Sequence, residues 1–333
     1  MSNVNILSPD VIAKIAAGEV VDRPASVVKE LLENALDAGA TSIEIHLKDA
    51  GKELIHIKDN GCGISRANME KLFSRHATSK ITSIDDLETL NSMGFRGEAL
   101  YSIAAVSDVT MRSQEKDSSE CFNIHVRGGK RLSLEPAATS SHGTDIKVAE
   151  LFFNTPARRK FLKNNTSEIN HVVNIVVPYT LIYPQIRFLL THTGKAVIDL
   201  VPAASRIDRA AAALNLNDKD LMDTSQDFPQ ENLFIKAVLG NINVQRPRRD
   251  TQYIFINNRP VDSKSLSFCM NDVYRMILAP GIYPAFILNI NINPSLVDVN
   301  IHPTKREVRI KDETKLASIV RHLSEYTLMR FGS

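Results

Sequence analysis

The chain has 333 residues, of which 43% are hydrophobic and 23% are charged, and its formal net charge at pH 7 is +2. This composition is typical of a globular protein with about two domains, and the small net charge excludes a polycation. Three cysteines, far apart and odd in number, exclude a disulfide framework and indicate a reducing compartment. The sequence has no signal-peptide pattern and no apolar run of about 18 residues, so we expect neither secretion nor a membrane span.

Residues 24–38 predict an amphipathic helix, which begins at Pro24 and ends before Gly39. Its apolar face is formed by Val27, Val28, Leu31, Leu32, Ala35 and Leu36. Glu30, Asn34 and Asp37 are spaced i, i+4 and i+7 and therefore share the opposite face. Taken alone, such a polar stripe is more typical of the solvated face of a surface helix. Upstream, we expect a short helix at residues 11–17 and a loop at residues 18–24.

Residues 42–48 and 53–58 alternate apolar and polar side chains and predict a β-hairpin. Its second strand leads into Asp59-Asn-Gly-Cys-Gly-Ile64. A carboxylate at a strand end can accept a hydrogen bond from an exocyclic amine, and glycines let the backbone approach a flat ring. An ordinary Asn-Gly turn is the alternative interpretation.

Gly94-Phe-Arg-Gly97 precedes an apolar helical run at residues 100–106. Glycines before a helix can present free N–H groups to a phosphate, although an ordinary helix cap is an equally good interpretation. The P-loop pattern is absent from the chain. Between these segments, Arg75-His-Ala-Thr-Ser-Lys80 is polar.

The remaining pattern predicts two further sets of elements. In the first set we expect strands at 107–113, 121–127, 131–135 and 143–148, a loop at 151–162, a helix at 167–181 and a hairpin formed by 186–191 and 195–200. A helix at 206–214 and a polar, linker-like stretch at 215–232 come next. In the second set we expect strands at 233–239, 252–257, 285–292 and 298–300, and helices at 263–277 and 313–328.

Taken together and in this order, these segments resemble the nucleotide motifs of the GHKL ATPases. Within that superfamily, their residue sequences resemble those of the MutL family of DNA mismatch repair proteins. The resemblance rests on IAAGEVVDRPASVVKELLENALDAGA, DNGCGI, RHATSK, GFRGEAL, LFFNTPARRKFL and VDVNIHPTKREVR, together with Gly143-Thr144. It implies an α+β fold, in which a GHKL (Bergerat-type) α/β sandwich at residues 1–202 precedes a smaller split βαβ transducer domain at residues 203–333. The transducer domain would be similar to ribosomal S5 domain 2.

The resemblance also implies roles for single residues, with ATP and Mg²⁺ as ligands. Glu30 would be the general base, Asn34 would bind Mg²⁺, and Asp59 would bind the adenine amine. Gly63 would leave room for the ring, and Thr144 would help through a water molecule. The lid over the triphosphate would be formed by Thr78, Ser79, Lys80, Gly94, Phe95, Arg96, Gly97 and Leu100. Lys305 would reach the γ-phosphate from the second domain.

Basic residues at Arg158, Arg159, Lys160 and Lys264 are expected to bind DNA without sequence preference, and further clusters lie at Arg246–Arg249 and Arg259. Charge runs are more often solvated surface, and we find no base-reading motif. In the family, nucleotide-dependent dimerisation couples the mismatch-recognition protein MutS to a downstream nuclease or helicase, and we expect this in the cytoplasm, at the nucleoid. A C-terminal domain, in some members an endonuclease, would lie outside this sequence.

Three alternatives remain open at this point. A gyrase-type topoisomerase subunit shares both domain types, although the GFRGEAL and NTPARRKFL segments favour MutL. A sensor histidine kinase is disfavoured because no phospho-acceptor helix pair precedes the ATPase motifs. A nucleotide-gated scaffold without turnover is disfavoured by Glu30.

Overall fold

The structure is a computed structural model that describes residues 14, 15, 17, 18, 20–74, 98–139, 141–298 and 308–331. The predicted lid residues from Thr78 to Gly97, and Lys305, lie outside the described residues. The described residues from 14 to 20 are helical, so residues 18 and 20 are not in a loop as predicted. The Val21 N–H donates to the Ala17 carbonyl, and both side chains are fully buried, which explains why the helix continues.

The predicted amphipathic helix is confirmed as α1 (Pro24–Asp37). Pro24 occupies the first turn, where a missing N–H costs nothing. The helix ends in a Schellman motif, because Gly39 has φ 71° and the Gly39 and Ala40 N–H groups donate to the Leu36 and Ala35 carbonyls. The apolar face is buried apart from the half-buried Leu36.

Eight strands of the described chain form one mixed sheet. They are β1 (Ser42–Lys48), β2 (Leu54–Asp59), β3 (Asp108–Gln114), β4 (Cys121–Arg127), β5 (Lys130–Ala137), β6 (Gly143–Ala149), β7 (Arg187–His192) and β8 (Lys195–Leu200). Their order in the sheet is β5-β4-β3-β6-β2-β1-β7-β8, and only the β1–β7 pair of these is parallel. Because β6 lies between β3 and β2, the ends of these three strands are brought together. All strands predicted for this region are confirmed, with ends shifted by up to two residues.

Four helices of the described chain connect strands of this sheet, and two of them differ from the prediction. They are α2 (Arg66–Leu72), α3 (Ala99–Ala105), α4 (Pro156–Phe161) and α5 (Asn165–Ile182). The loop predicted for 151–162 is wrong in its second half, because Pro156 suits a first turn and Ala-Arg-Arg-Lys are good helix formers. Helix α2 was not expected; Ser65 caps it by accepting from the Asn68 N–H, and Met69 is fully buried.

The second sheet consists of β9 (Leu221–Phe228), β10 (Leu233–Gly240), β11 (Gln252–Ile256), β12 (Arg259–Pro260) and β13 (Phe286–Ile292), in the order β12-β11-β13-β10-β9. The linker predicted for 215–232 is wrong, since β9 is an edge strand. Its sequence is polar because most of its residues after Met222 are exposed, while Leu221 and Met222 are buried. A two-stranded ribbon, β14 (Val297–Asp298) and β15 (Arg309–Ile310), follows the sheet in the chain.

One face of the second sheet carries its core. The helices of this region are α6 (Arg206–Leu214), α7 (Lys264–Tyr274) and α8 (Glu313–Phe331), and α7 connects the parallel neighbours β11 and β13. Ile235, Leu288 and Ile290 of the sheet pack with Leu266 of α7 and Val320 of α8. The α+β architecture expected from the resemblance is confirmed.

The chain divides into two compact units, which are not contiguous in sequence. The first comprises residues 1–83, 92–176 and 186–201, and the second comprises residues 84–91, 177–185 and 202–333. Among the described helices, none is long and apolar enough to cross a lipid bilayer.

Candidate active site

Asp59 is the last residue of β2 and pairs with Thr144 of β6. Its carboxylate accepts the backbone N–H of Gly61, with an N···O distance of 2.8 Å, and the backbone N–H of Thr144. Burial raises the pKa of Asp59 above its ordinary value, although both hydrogen bonds oppose this shift. The side chain is therefore fixed in place by the backbone, in a partly desolvated position where its hydrogen bonds are strengthened.

The glycines beside Asp59 allow three backbone segments to touch. A Cβ on Gly63, which has φ 72°, would lie 1.9 Å from the Gln114 carbonyl oxygen, and a Cβ on Gly143, with φ 115°, would lie 2.1 Å from the Asp59 carbonyl oxygen. No other residue type fits at these positions. Close backbone packing thus explains why residue 63 is glycine. The predicted role of Gly63 in accommodating an adenine ring stays a prediction.

Polar side chains that the sequence interpretation missed hold this loop. Ser113 is buried; its hydroxyl accepts the Ile64 N–H, donates to the Gly143 carbonyl, and lies 3.0 Å from the Thr144 Oγ1. The Asn60 side-chain oxygen accepts the N–H groups of residues 41 and 42. No sequence signal could have found Ser113, because its role depends on β3 and β6 being neighbours, whereas the Asn60 contacts extend the predicted β1–β2 hairpin.

The loop also joins the end of α1. The Cys62 N–H donates to the Ala38 carbonyl over 2.9 Å, and Gly61 packs so closely that an added Cβ would lie 2.7 Å from the Ala38 Cβ. Asn34 lies one helical turn before Ala38, and Glu30 lies one turn before Asn34. The structure therefore connects the Asp59 loop directly to the helix that bears the other two predicted site residues.

The polar side of α1 contains two charged residues that were not assigned from sequence. The Lys29 Nζ lies 3.2 Å from Glu30 Oε1 and 3.0 Å from Glu33 Oε1, and Glu33 is only 5% exposed. Burial alone would lower the pKa of Lys29, but Glu30 and Glu33 outweigh burial and raise it. The i, i+4 spacing of Lys29 and Glu33 was the signal that could have found this pair.

The predicted DNA-binding residues differ in their surroundings. Arg159 and Lys160 on α4 are exposed, and Lys264, the first residue of α7, is exposed as well. The Arg158 guanidinium, in contrast, occupies the space beside Gly18, where an added Cβ would lie 1.8 Å from Nη2. Its Nη1 is buried and has no hydrogen-bond partner within the described part of the chain. Of the predicted lid, only the half-buried Leu100 is described, within α3.

Two family models match the chain. A model described as histidine kinase-, DNA gyrase B- and HSP90-like ATPase matches residues 22–148, and one described as DNA mismatch repair protein, C-terminal domain, matches residues 215–328. The residues matched by the ATPase model include Glu30, Asn34, Asp59 and Thr144.

Individual proteins agree with these models. The DNA mismatch repair protein MutL of Halothermothrix orenii is 41% identical over 324 residues, which cover 97% of this chain and 50% of that protein. The chain therefore spans about half the length of the curated relatives it matches.

Solved structures give the same result. The structure "N terminal domain of a DNA repair protein" superposes with a TM-score of 0.80 at 25% identity, covering 96% of this chain and 98% of that one. The Aquifex aeolicus MutL ATPase domain complexed with ADP superposes with a TM-score of 0.66 at 27% identity, covering 92% and 98%. From its GHKL fold, its site and these similarities, the chain belongs to the MutL family of DNA mismatch repair proteins and contains the family's ATPase domain.

Proposed function

We propose that this chain binds ATP at Asp59 and hydrolyses it slowly in the presence of Mg²⁺. The observation that carries the proposal is the half-buried Asp59 carboxylate, held by two backbone N–H groups beside the helix of Glu30 and Asn34. An ionised carboxylate only accepts hydrogen bonds, so it matches the adenine amine and disfavours guanine, which has an oxygen there. The similarity to a MutL ATPase domain solved with ADP supports the same class of ligand.

The other site residues receive roles that fit their chemistry. Glu30 takes a proton from the water that attacks the γ-phosphate, and Asn34 offers its side-chain oxygen to Mg²⁺. Within the described residues, no group of three or more His, Cys, Asp or Glu side chains is placed to hold a metal. An amide oxygen still fits, because Mg²⁺ commonly binds few protein oxygens together with substrate phosphates. When bound, the ion neutralises charge on those phosphates.

The proposal is tested by phosphate release from ATP and by calorimetric titration of nucleotide. Wild-type protein should release phosphate only with Mg²⁺, and Asn34→Ala should weaken ATP binding in Mg²⁺ but much less in its absence. Unchanged ATP affinity of Asn34→Ala in Mg²⁺ would refute its role. ATP binding without any phosphate release would instead identify a nucleotide-gated scaffold.

We further propose that nucleotide closes a lid and favours a homodimer. The lid would consist of Thr78, Ser79, Lys80, residues 94–97 and Leu100, and Lys305 would contact the γ-phosphate. A ligand shifts a monomer–dimer equilibrium only if it binds the dimer more tightly. Light scattering should show a monomer without nucleotide and a dimer with a non-hydrolysable ATP analogue. A protein that stays monomeric at saturating analogue contradicts this part of the proposal.

DNA binding without sequence preference is proposed for the exposed Arg159, Lys160 and Lys264, with Arg158 in the same basic cluster. Lysine and arginine contacts to phosphates release counterions, so the affinity should fall steeply with salt. Fluorescence anisotropy with duplexes of different sequence should give equal affinities, and these should rise when the analogue is added. A strong sequence preference would reject the proposal.

The wider assignment places this activity in mismatch repair. We propose an ATP-binding domain within residues 1–202 and a transducer domain within 203–333, acting on DNA in the cytoplasm with MutS and a downstream nuclease or helicase. Loss of repair in cells that express Glu30→Ala would support it, since only turnover should be removed. A DNA-supercoiling activity would support a gyrase-type enzyme instead.

A further inference from the structure

Lys29 contacts two carboxylates on the same helix. Its Nζ lies 3.2 Å from Glu30 Oε1 and 3.0 Å from Glu33 Oε1. The three side chains are shielded, with exposed fractions of 21% for Lys29, 24% for Glu30 and 7% for Glu33. These are not surface ion pairs of the kind that contribute little, because each side chain is largely removed from water.

The positions of the two carboxylates on the helix are different. Lys29 and Glu33 are four residues apart and lie in the same row, so their contact is the ordinary one for helical neighbours. Glu30 and Asn34 form the adjacent row, about 100° further round the helix. Consecutive residues do not normally face each other, so the Lys29–Glu30 contact requires the two side chains to turn toward each other.

We propose that Lys29, anchored by the buried carboxylate of Glu33, is a positioning residue that fixes the orientation of Glu30 for proton abstraction. This inference rests on the role of Glu30 in the proposed function. A catalytic group gains rate when its neighbours hold it in the productive geometry before the reaction begins. Glu33 acts on Glu30 indirectly, because it keeps the ammonium group of Lys29 in the row beside Glu30.

The electrostatics support this arrangement. The two carboxylates raise the pKa of Lys29 in spite of its burial, so the ammonium group stays charged at neutral pH. Glu33 is buried, and a buried carboxylate is costly unless it is compensated. Lys29 therefore has a fixed position, and a fixed donor can orient a carboxylate that is otherwise free to rotate about its side-chain bonds.

The test separates nucleotide affinity from turnover. Lys29→Met should lower kcat by about 10- to 100-fold, the range typical of partners that orient a site residue. ATP affinity, measured by titration calorimetry with Mg²⁺, should stay within about twofold, because Lys29 has no proposed contact with the nucleotide. Glu33→Gln should also lower kcat. Lys29→Arg, which keeps the positive charge, should retain most of the wild-type activity that Lys29→Met loses. Lys48→Met, which removes an exposed lysine at the end of β1, is the matched control and should behave as wild type.

Removing only Lys29 takes a counter-charge away from Glu33, so the double variant Lys29→Met with Glu33→Gln is included and its melting temperature recorded. A folded double variant with low kcat and normal ATP affinity supports the inference. Normal kcat, a parallel loss of affinity and kcat, or failure of Lys29→Arg to recover activity overturns it. Glu30→Ala is measured alongside. If that variant keeps its turnover, Glu30 is not the base and the proposed function is wrong. If Glu30→Ala loses turnover while the Lys29 variants keep a normal kcat, only the positioning role is overturned.

Discussion

The two halves of the candidate active site are built differently. At the loop end, backbone N–H groups of Gly61 and Thr144 hold the Asp59 carboxylate, and glycines permit the close packing around it. At the helix end, side-chain ion pairs among Lys29, Glu30 and Glu33 hold the proposed base. Truncating a neighbouring side chain can remove an ion pair, whereas it leaves the backbone N–H donors of Gly61 and Thr144 in the chain. We therefore expect the loop end to be rigid, and we expect the side-chain orientation of Glu30 at the helix end to depend on neighbouring side chains.

The largest effect should come from the helix end. Glu30→Ala should lower the rate of phosphate release by about 10²- to 10⁴-fold, because a general base contributes a factor of this size. Its ATP affinity should be unchanged, since the loop end is intact. Glu53→Ala, at the residue before β2, removes an exposed carboxylate and serves as control. Turnover within a factor of two of wild type would show that Glu30 is not the base.

At the loop end, Asp59→Ala should weaken ATP binding by about 10- to 100-fold, because a hydrogen bond to a charged group contributes about 1.5–3 kcal/mol. Discrimination against GTP should shrink at the same time. Competition titrations with ATP and GTP measure both quantities. Equal ATP affinity in mutant and wild type would show that Asp59 does not bind adenine. The comparison between the loop end and the helix end would then fail as well.

The burial of Asp59 predicts a pH-dependent cost in the nucleotide-free protein. Because its pKa is raised in the folded state, its contribution to stability is complete below the unfolded-state pKa and is lost as the pH rises through the folded-state pKa. Asp59→Asn stays neutral, so its free energy of unfolding relative to wild type should increase as the pH rises above about 4, the pKa of an unfolded-state aspartate. Urea denaturation at several pH values measures this difference. A difference that stays constant or decreases with pH contradicts the predicted shift.

A smaller effect concerns α4. Arg159→Ala should weaken DNA binding a few-fold and reduce the slope of log affinity against log salt by about one, as for the loss of one phosphate contact. Arg158→Ala should mainly lower the melting temperature, because its guanidinium packs beside Gly18. Anisotropy and thermal melting of both variants separate the two roles. Equal salt slopes in the two variants would show that the half-buried Arg158 and the exposed Arg159 act alike.

Much of the fold followed from local patterns. Helix α1 and strands β1 and β2 were predicted because their apolar spacing and the Pro and Gly residues near their boundaries agree. Strand β9 was mistaken for a linker, because an edge strand with one exposed face has few apolar residues. Helix α4 was missed because a basic Pro-Ala-Arg-Arg-Lys segment has no apolar periodicity, although its helix propensity was visible.

The candidate site was predictable to a different degree at its two ends. Glu30, Asn34 and Asp59 were selected from their spacing and from the family resemblance. The role of Ser113 depends on strand pairing, which places β6 between β3 and β2 and which no local pattern reveals. Lys29 and Glu33 were visible as an i, i+4 pair, but helix spacing alone does not show that their contact extends to Glu30.

The most direct test of the central claim is a structure with a non-hydrolysable ATP analogue and Mg²⁺. The account predicts the adenine amine within hydrogen-bonding distance of the Asp59 carboxylate, the Asn34 side-chain oxygen on Mg²⁺, and the Glu30 carboxylate facing the γ-phosphate. An analogue whose adenine lies away from Asp59, or whose γ-phosphate lies away from Glu30, would contradict it.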